Sequence, residues 1–184
     1  GLYIDSVKKE LEMKKIIATA IFAALCVGQV ANAKDGTVKF VGDIVTAPCE
    51  VAQNSWDQTV QMAQVKTATF ADAGAKSADK KFQISLLNCD VAQFKNVAVS
   101  FAGQANGDDA TLLALDGGQG AAENVGVAIY DGKGKKLALG TATADTALQV
   151  GSNTLYFSAA YVSTKKDVKA GSANATADFN LTYK

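Results

Sequence analysis

From Gly36 onward apolar and polar positions alternate with the period of a strand, and no stretch keeps a helical spacing for long. Val38, Phe40 and Val45, set among small and polar residues, predict a first strand running to about Cys49. Thr59, Val60 and Met62 predict a short second one. Lys81–Leu86 alternates cleanly and delivers Cys89 near its end, and Asn96–Phe101 turns Val97, Val99 and Phe101 inward. Gly103–Asp109 reads as a loop, followed by an apolar patch at Leu112, Leu113 and Leu115 and a break at Gly117–Gly120. Val125–Tyr130, the turn Asp131–Gly134 and the return Lys136–Leu139 form a hairpin. Leu155, Phe157, Ala159 and Tyr161 line one face of a longer strand, and Lys165–Gly171 makes the last turn. Ala175, Ala177, Phe179, Leu181 and Tyr183 then alternate to the final residue. A helical turn is expected around Lys76–Lys81. Short strands separated by Gly, Asn and Asp turns predict an all-β Greek-key sandwich, with a closed barrel as the alternative. The last strand has no successor to pair with. An open edge of that kind must aggregate or be completed by another polypeptide.

A different pattern precedes the alternation. Lys14 and Lys15 follow Met13, Ile16–Gly28 is apolar, and Ala31-Asn32-Ala33 is a small-x-small site, the three parts of a secretory signal peptide. The apolar run falls short of the roughly 20 residues a spanning helix needs. Cys26 follows Leu25 rather than a small residue, which argues against lipidation. Cleavage between Ala33 and Lys34 is therefore expected, with residues 13–33 as the leader and residues 1–12 as translated upstream sequence. The remainder divides into an N-terminal extension with the start of the first strand, 34–48, and a domain, 49–184.

Removing the leader changes the chemistry. Of the three cysteines, Cys26 departs, leaving Cys49 and Cys89, which in an oxidising compartment form one disulfide. Of the 18 lysines, Lys8, Lys9, Lys14 and Lys15 precede Lys34, leaving 14 against 15 acids and no arginine. That near-neutral balance excludes the basic stripe of a nucleic-acid binder. Histidine is absent, which removes Ser-His-Asp and Cys-His catalysis and the usual zinc ligand sets. Gly132–Lys136 lacks the spacing and Ser/Thr of a phosphate loop and reads as a hairpin turn. Asp108, Asp109 and Asp116 are candidate calcium ligands without EF-hand spacing, and a solvated loop is the simpler reading. No enzyme, metal or cofactor is expected.

The ordered set of short motifs resembles the major pilins of chaperone–usher fimbriae, of the type 1 pilus kind. It comprises Gly36-x-Val38-x-Phe40-x-Gly42, Ala47-Pro48-Cys49, Phe82-x-Ile84-x-Leu86 with Cys89, and Val97-x-Val99-x-Phe101-x-Gly103. Asn124–Val127 with Ile129, Asn153–Leu155, Phe157-x-Ala159-x-Tyr161, Gly171-x-Ala173 and the terminal Phe179-x-Leu181-x-Tyr183 complete it. The resemblance implies an incomplete immunoglobulin-like sandwich lacking its last strand, filled first by a periplasmic chaperone and then by the N-terminal extension of the next subunit. On that basis Gly36, Val38 and Phe40 enter a neighbour's groove, with Lys34 and Gly42 at the ends of the insert. Phe179, Leu181 and Tyr183 belong to the acceptor edge, and the carboxylate of Lys184 meets a basic chaperone cleft. The implied role is a structural fimbrial subunit on the surface of a Gram-negative bacterium. Its partners would be copies of itself, an outer-membrane usher and tip or adaptor subunits; a minor adaptor or anchor role is the alternative. N-terminal sequencing of the secreted protein should begin at Lys34, and a product retaining residues 2–12 would refute the leader assignment.

Overall fold

The longest strand is the organising element of the computed structural model, which describes residues 35–184. The expected upstream segment, leader and Ala33/Lys34 cleavage site lie outside those residues. The strands are β1 (Glu50–Val51), β2 (Lys80–Cys89), β3 (Asn96–Ala102), β4 (Val125–Asp131), β5 (Lys136–Leu137), β6 (Thr146–Ala147), β7 (Gly151–Ser163) and β8 (Asp178–Tyr183). β7 pairs antiparallel with β2 on one side and β4 on the other, at the centre of a five-stranded sheet ordered β1-β2-β7-β4-β5. A second sheet is ordered β6-β3-β8. The chain crosses between sheets five times, from β2 to β3, β3 to β4, β5 to β6, β6 to β7 and β7 to β8, and the sandwich is all-β.

The alternation explains the core. Ile84 and Leu86 from β2 and Leu155, Phe157, Ala159 and Tyr161 from β7 are buried, as are Val97, Val99 and Phe101 from β3. Three aromatic rings join the sheets. Phe82 stacks on Phe157 with centroids 5.5 Å apart, and Phe101 meets Phe157 edge-on at 5.1 Å. Edge-to-face and offset geometries suit the ring quadrupoles and add to the gain from burial.

Two local devices shape the strand ends. The register of β2 shifts between Leu86 and Cys89, and Asn88 there takes φ 51°, the left-handed region that asparagine tolerates better than most residues. The Asn88 amide donates to the Glu50 carboxylate at 3.1 Å. That bulge carries Cys89 to Cys49, and the two form a disulfide. At the β4–β5 turn the Asp131 carboxylate accepts from the N–H groups of Lys133 and Lys135, both at 2.9 Å, and Gly134 supplies φ 82°. The glycine and lysine cluster is a hairpin turn.

Three expected elements differ. Residues 35–46 form no strand; the first is β1, because alternation without a ladder partner does not make one. Thr59–Met62 likewise has no ladder and runs without regular structure. The helical turn expected at Lys76–Lys81 is absent: Ser77 exchanges hydrogen bonds with the backbone of Tyr161, its N–H to the carbonyl and its Oγ from the N–H, which draws this segment onto β7. Helical turns occur instead at α1 (Gln53–Trp56) and a 3₁₀ turn at Thr67–Thr69.

Replacing both Cys49 and Cys89 with Ser should lower stability by about 4 kcal/mol, the loop-closure value for a loop of about 40 residues. A urea midpoint equal to that of the parent would show that the bond is dispensable.

Candidate functional site

The hydrogen-bond phase of β8 decides which of its groups are free. Lys184 and Asn96 exchange N–H···O=C bonds of 2.9 Å in both directions, so they are a hydrogen-bonded pair. In an antiparallel ladder such pairs alternate with non-bonded ones. With Val97 opposite Tyr183, Val99 opposite Leu181 and Phe101 opposite Phe179, the main-chain groups of Phe179, Leu181 and Tyr183 point away from β3. β8 is the last strand of its sheet. Those N–H and C=O groups line an open edge, while the same three side chains are half-buried against the core. Asp178, Asn180 and Thr182 face solvent.

Beside this edge the two sheets part around a cleft of about 560 Å³. Residues 57–62 form one wall and 173–177 with Phe179 the other. The floor is apolar core: Phe82, Ile84, Phe101, Leu113, Val127 and Ile129, with Ala159 and Tyr161 beyond them. Phe82 is only half-buried although it stacks in the central aromatic cluster, because the cleft lies against it. Ala173, Ala175 and Ala177 keep the second wall thin.

That wall has no ladder and is held by individual contacts. The Tyr161 hydroxyl donates to the Ala173 carbonyl at 2.7 Å, and the Asp116 N–H to the Asn174 carbonyl at 2.7 Å. Burial pushes the Tyr161 phenol above its ordinary pKa. Gly103 allows the close pass of the wall: a Cβ there would sit 3.0 Å from the Thr176 carbonyl and against the Leu113 side chain. Upstream, Gly171 packs directly on the backbone of Gly120 and Ala121, where no side chain fits. Lys165 bonds Asp108 and Lys169 bonds Glu123, each at 2.7 Å. Hydrogen bonds from Lys165 and then Thr164 hold the Asp108 carboxyl below its usual range.

The C-terminal end is fixed as well. The Lys184 carbonyl oxygen accepts from Lys95 N–H at 2.7 Å and Asn96 N–H at 2.9 Å, and its ammonium meets Asp145 at 2.7 Å. Phe94 lies edge-on to the Tyr183 ring, 6.4 Å between centroids.

The structure thus brings Phe179, Leu181 and Tyr183 to β8, with Lys184 directly after it, and joins Cys49 to Cys89. Gly36, Val38, Phe40 and Gly42 lie in an exposed segment without regular structure; Val38 is 76 % and Phe40 91 % exposed. Lys34 lies outside the described residues. Two of the three candidate calcium carboxylates are engaged by side chains of the fold. Asp108 binds Lys165 and Thr164, Asp109 binds Thr111 and Lys136, and among the described residues no three potential metal ligands cluster. The sequence reading did not identify residues 57–62 or 173–177 as walls. Tyr161 and Phe82 looked like ordinary core positions, and only their three-dimensional setting places them in the cleft. An apolar slot beside unpaired main-chain groups suits one kind of occupant: an extended strand with apolar side chains at alternate positions.

Tyr161→Phe should leave the Ala173 carbonyl without its donor and cost about 1–3 kcal/mol. The check is a denaturation midpoint; no change would mean that water replaces the hydroxyl there.

Residues 38–184 match a family described as fimbrial protein. The chain is 43% identical over 168 residues to long polar fimbria protein A of Salmonella typhimurium, covering 91% of this chain and 90% of that one. It is 42% identical over 176 residues to a probable major fimbrial subunit of Escherichia coli O157:H7, covering 95% and 99%. Among solved structures, a chain from a chaperone–usher pilus, determined to explain rod uncoiling, superposes with a TM-score of 0.68. It shares 28% identity, with 83% of this chain and 97% of that one covered.

Proposed function

Because the chain belongs to the fimbrial protein family, a family of structural subunits, we propose that it polymerises head to tail, each copy lending residues 34–42 to the cleft of the next. What supports this reading is that one chain carries a segment and a cleft of matching pattern. An exposed segment alternates Gly36, Val38, Phe40 and Gly42, and the sandwich presents a strand-wide apolar cleft beside the open β8 edge.

Gly36, Val38 and Phe40 are the inserted positions, with Lys34 and Gly42 at the ends. Burying Val38 and Phe40 contributes roughly 1.5–3 kcal/mol each. The outward main-chain groups of Phe179, Leu181 and Tyr183 supply ladder bonds, and residues 57–62 offer a second edge across the cleft. A joint between a donor segment and a different, acceptor site is heterologous, and it grows as an open filament where the rotation does not close a ring. Dissociation then requires breaking a sheet and exposing the core together, so the filament persists kinetically.

Before assembly the same edge needs cover. A periplasmic chaperone supplying a strand, with a basic cleft for the Lys184 carboxylate, fits that need, and an outer-membrane usher would exchange it for the next subunit. Export through the periplasm agrees with the Cys49–Cys89 disulfide. No helix among the described residues is long and apolar enough to cross a membrane. The identity to major subunits favours the fimbrial shaft over the minor adaptor or anchor alternative. Tip or adaptor subunits would then cap the filament through the same joint.

Deleting Lys34–Phe40 should give a subunit that folds with its chaperone, still accepts a strand, and is missing from sheared surface fibres. Electron microscopy of cells carrying only the truncated gene checks this; fibres of ordinary length would overturn the donor assignment.

A further inference from the structure

Met62 is the only methionine among the described residues. Its half-buried side chain lines the cleft and packs against the cluster of Phe70, Leu113, Val125, Val127 and Tyr161. Packing at this wall calls for an apolar side chain, and Leu or Ile would also provide one. A thioether adds something those residues lack, a sulfur lone pair that oxidants attack.

We propose that Met62 is an oxidative modification site controlling the cleft: a peroxide converts it to the sulfoxide in the open subunit and slows strand capture, while a captured strand shields it. The proposal rests on the donor-strand reading above. The sulfur lone pair attacks one peroxide oxygen, an S–O bond forms, and the O–O bond breaks. The sulfur loses two electrons, and the other oxygen leaves as water after taking a proton.

The product is methionine with one added, strongly polar oxygen. Its surroundings are the rings and aliphatic groups of the second core cluster, and an inserted strand would close over it. Covering such a group without a hydrogen-bond donor weakens capture by roughly tenfold or more. Reach of the oxidant follows the same geometry. The cleft is open to a molecule as small as hydrogen peroxide, and a strand between residues 57–62 and β8 would cover its floor. Oxidation and capture therefore compete for the same surface.

The test uses the secreted protein, a fluorescent peptide of residues 35–43, and hydrogen peroxide. Untreated protein should capture the peptide. Peroxide should add one oxygen, mapped to Met62 by peptide mass, and slow capture at least about tenfold. Methionine sulfoxide reductase should restore the rate. Met62→Leu, whatever its own rate of capture, should keep that rate after peroxide, and peptide-loaded wild type should resist oxidation. Unchanged capture by the Met62 sulfoxide, or equal oxidation of loaded and open protein, would overturn the proposal. Failure of untreated protein to capture the peptide would refute the donor assignment first, and this proposal with it.

Discussion

An unpaired strand edge lying beside an apolar cleft is the constraint from which everything else in this protein follows. Main-chain N–H and C=O groups demand partners, and water can satisfy those of Phe179, Leu181 and Tyr183 as long as the edge stays open. It cannot satisfy the apolar floor of Phe82, Ile84, Phe101, Val127 and Ile129 in the same cleft. The two demands have one joint solution, a strand whose backbone completes the ladder and whose alternate side chains fill the slot. The fold is immunoglobulin-like, with the outer edge of β8 unpaired among the described residues.

The rest of the sandwich serves to keep the cleft shaped for its occupant. The long central β7 is paired on both sides, and its inward residues Phe157, Ala159 and Tyr161 tie the sheets together from below. The irregular wall at 173–177 has no ladder to hold it, so it relies on the Tyr161 hydroxyl, the Asp116 amide and the close pass at Gly103. At the other end, Lys184 is pinned by Lys95, Asn96 and Asp145. The Cys49–Cys89 bond fastens the lead into β1 to the bulged end of β2. β1 itself has only two residues, and so short a ladder would fray without a covalent tie.

The match between local pattern and tertiary role is closest where a strand is buried on one face. β2, β3, β7 and β8 were each legible from alternation, because side chains on a half-buried strand must take turns between core and solvent; β4, buried from Val125 to Ile129, was legible as an apolar run closed by the Asp131–Gly134 turn. The same logic misled at Gly36–Cys49 and Thr59–Met62, which carry strand-like alternation and yet form no strand. Alternation records the capacity to pair and says nothing of whether the partner lies in the same chain. Those two segments are where the proposed joint between subunits would form, as donor and as far wall. Their unspent alternation is what that joint requires.

Pattern and composition by themselves determined the all-β class, the inward faces, the oxidised cysteine pair and the absence of histidine-based chemistry. Each of these depends on residue type and on the two-residue repeat of a strand. The tertiary structure alone decided that the final strand is an edge, which of its main-chain groups are free, and that Tyr161, Phe82 and Met62 share one cleft. Those properties depend on ladder phase and on contacts between residues distant in the chain. A one-dimensional pattern does not specify which strand lies beside which.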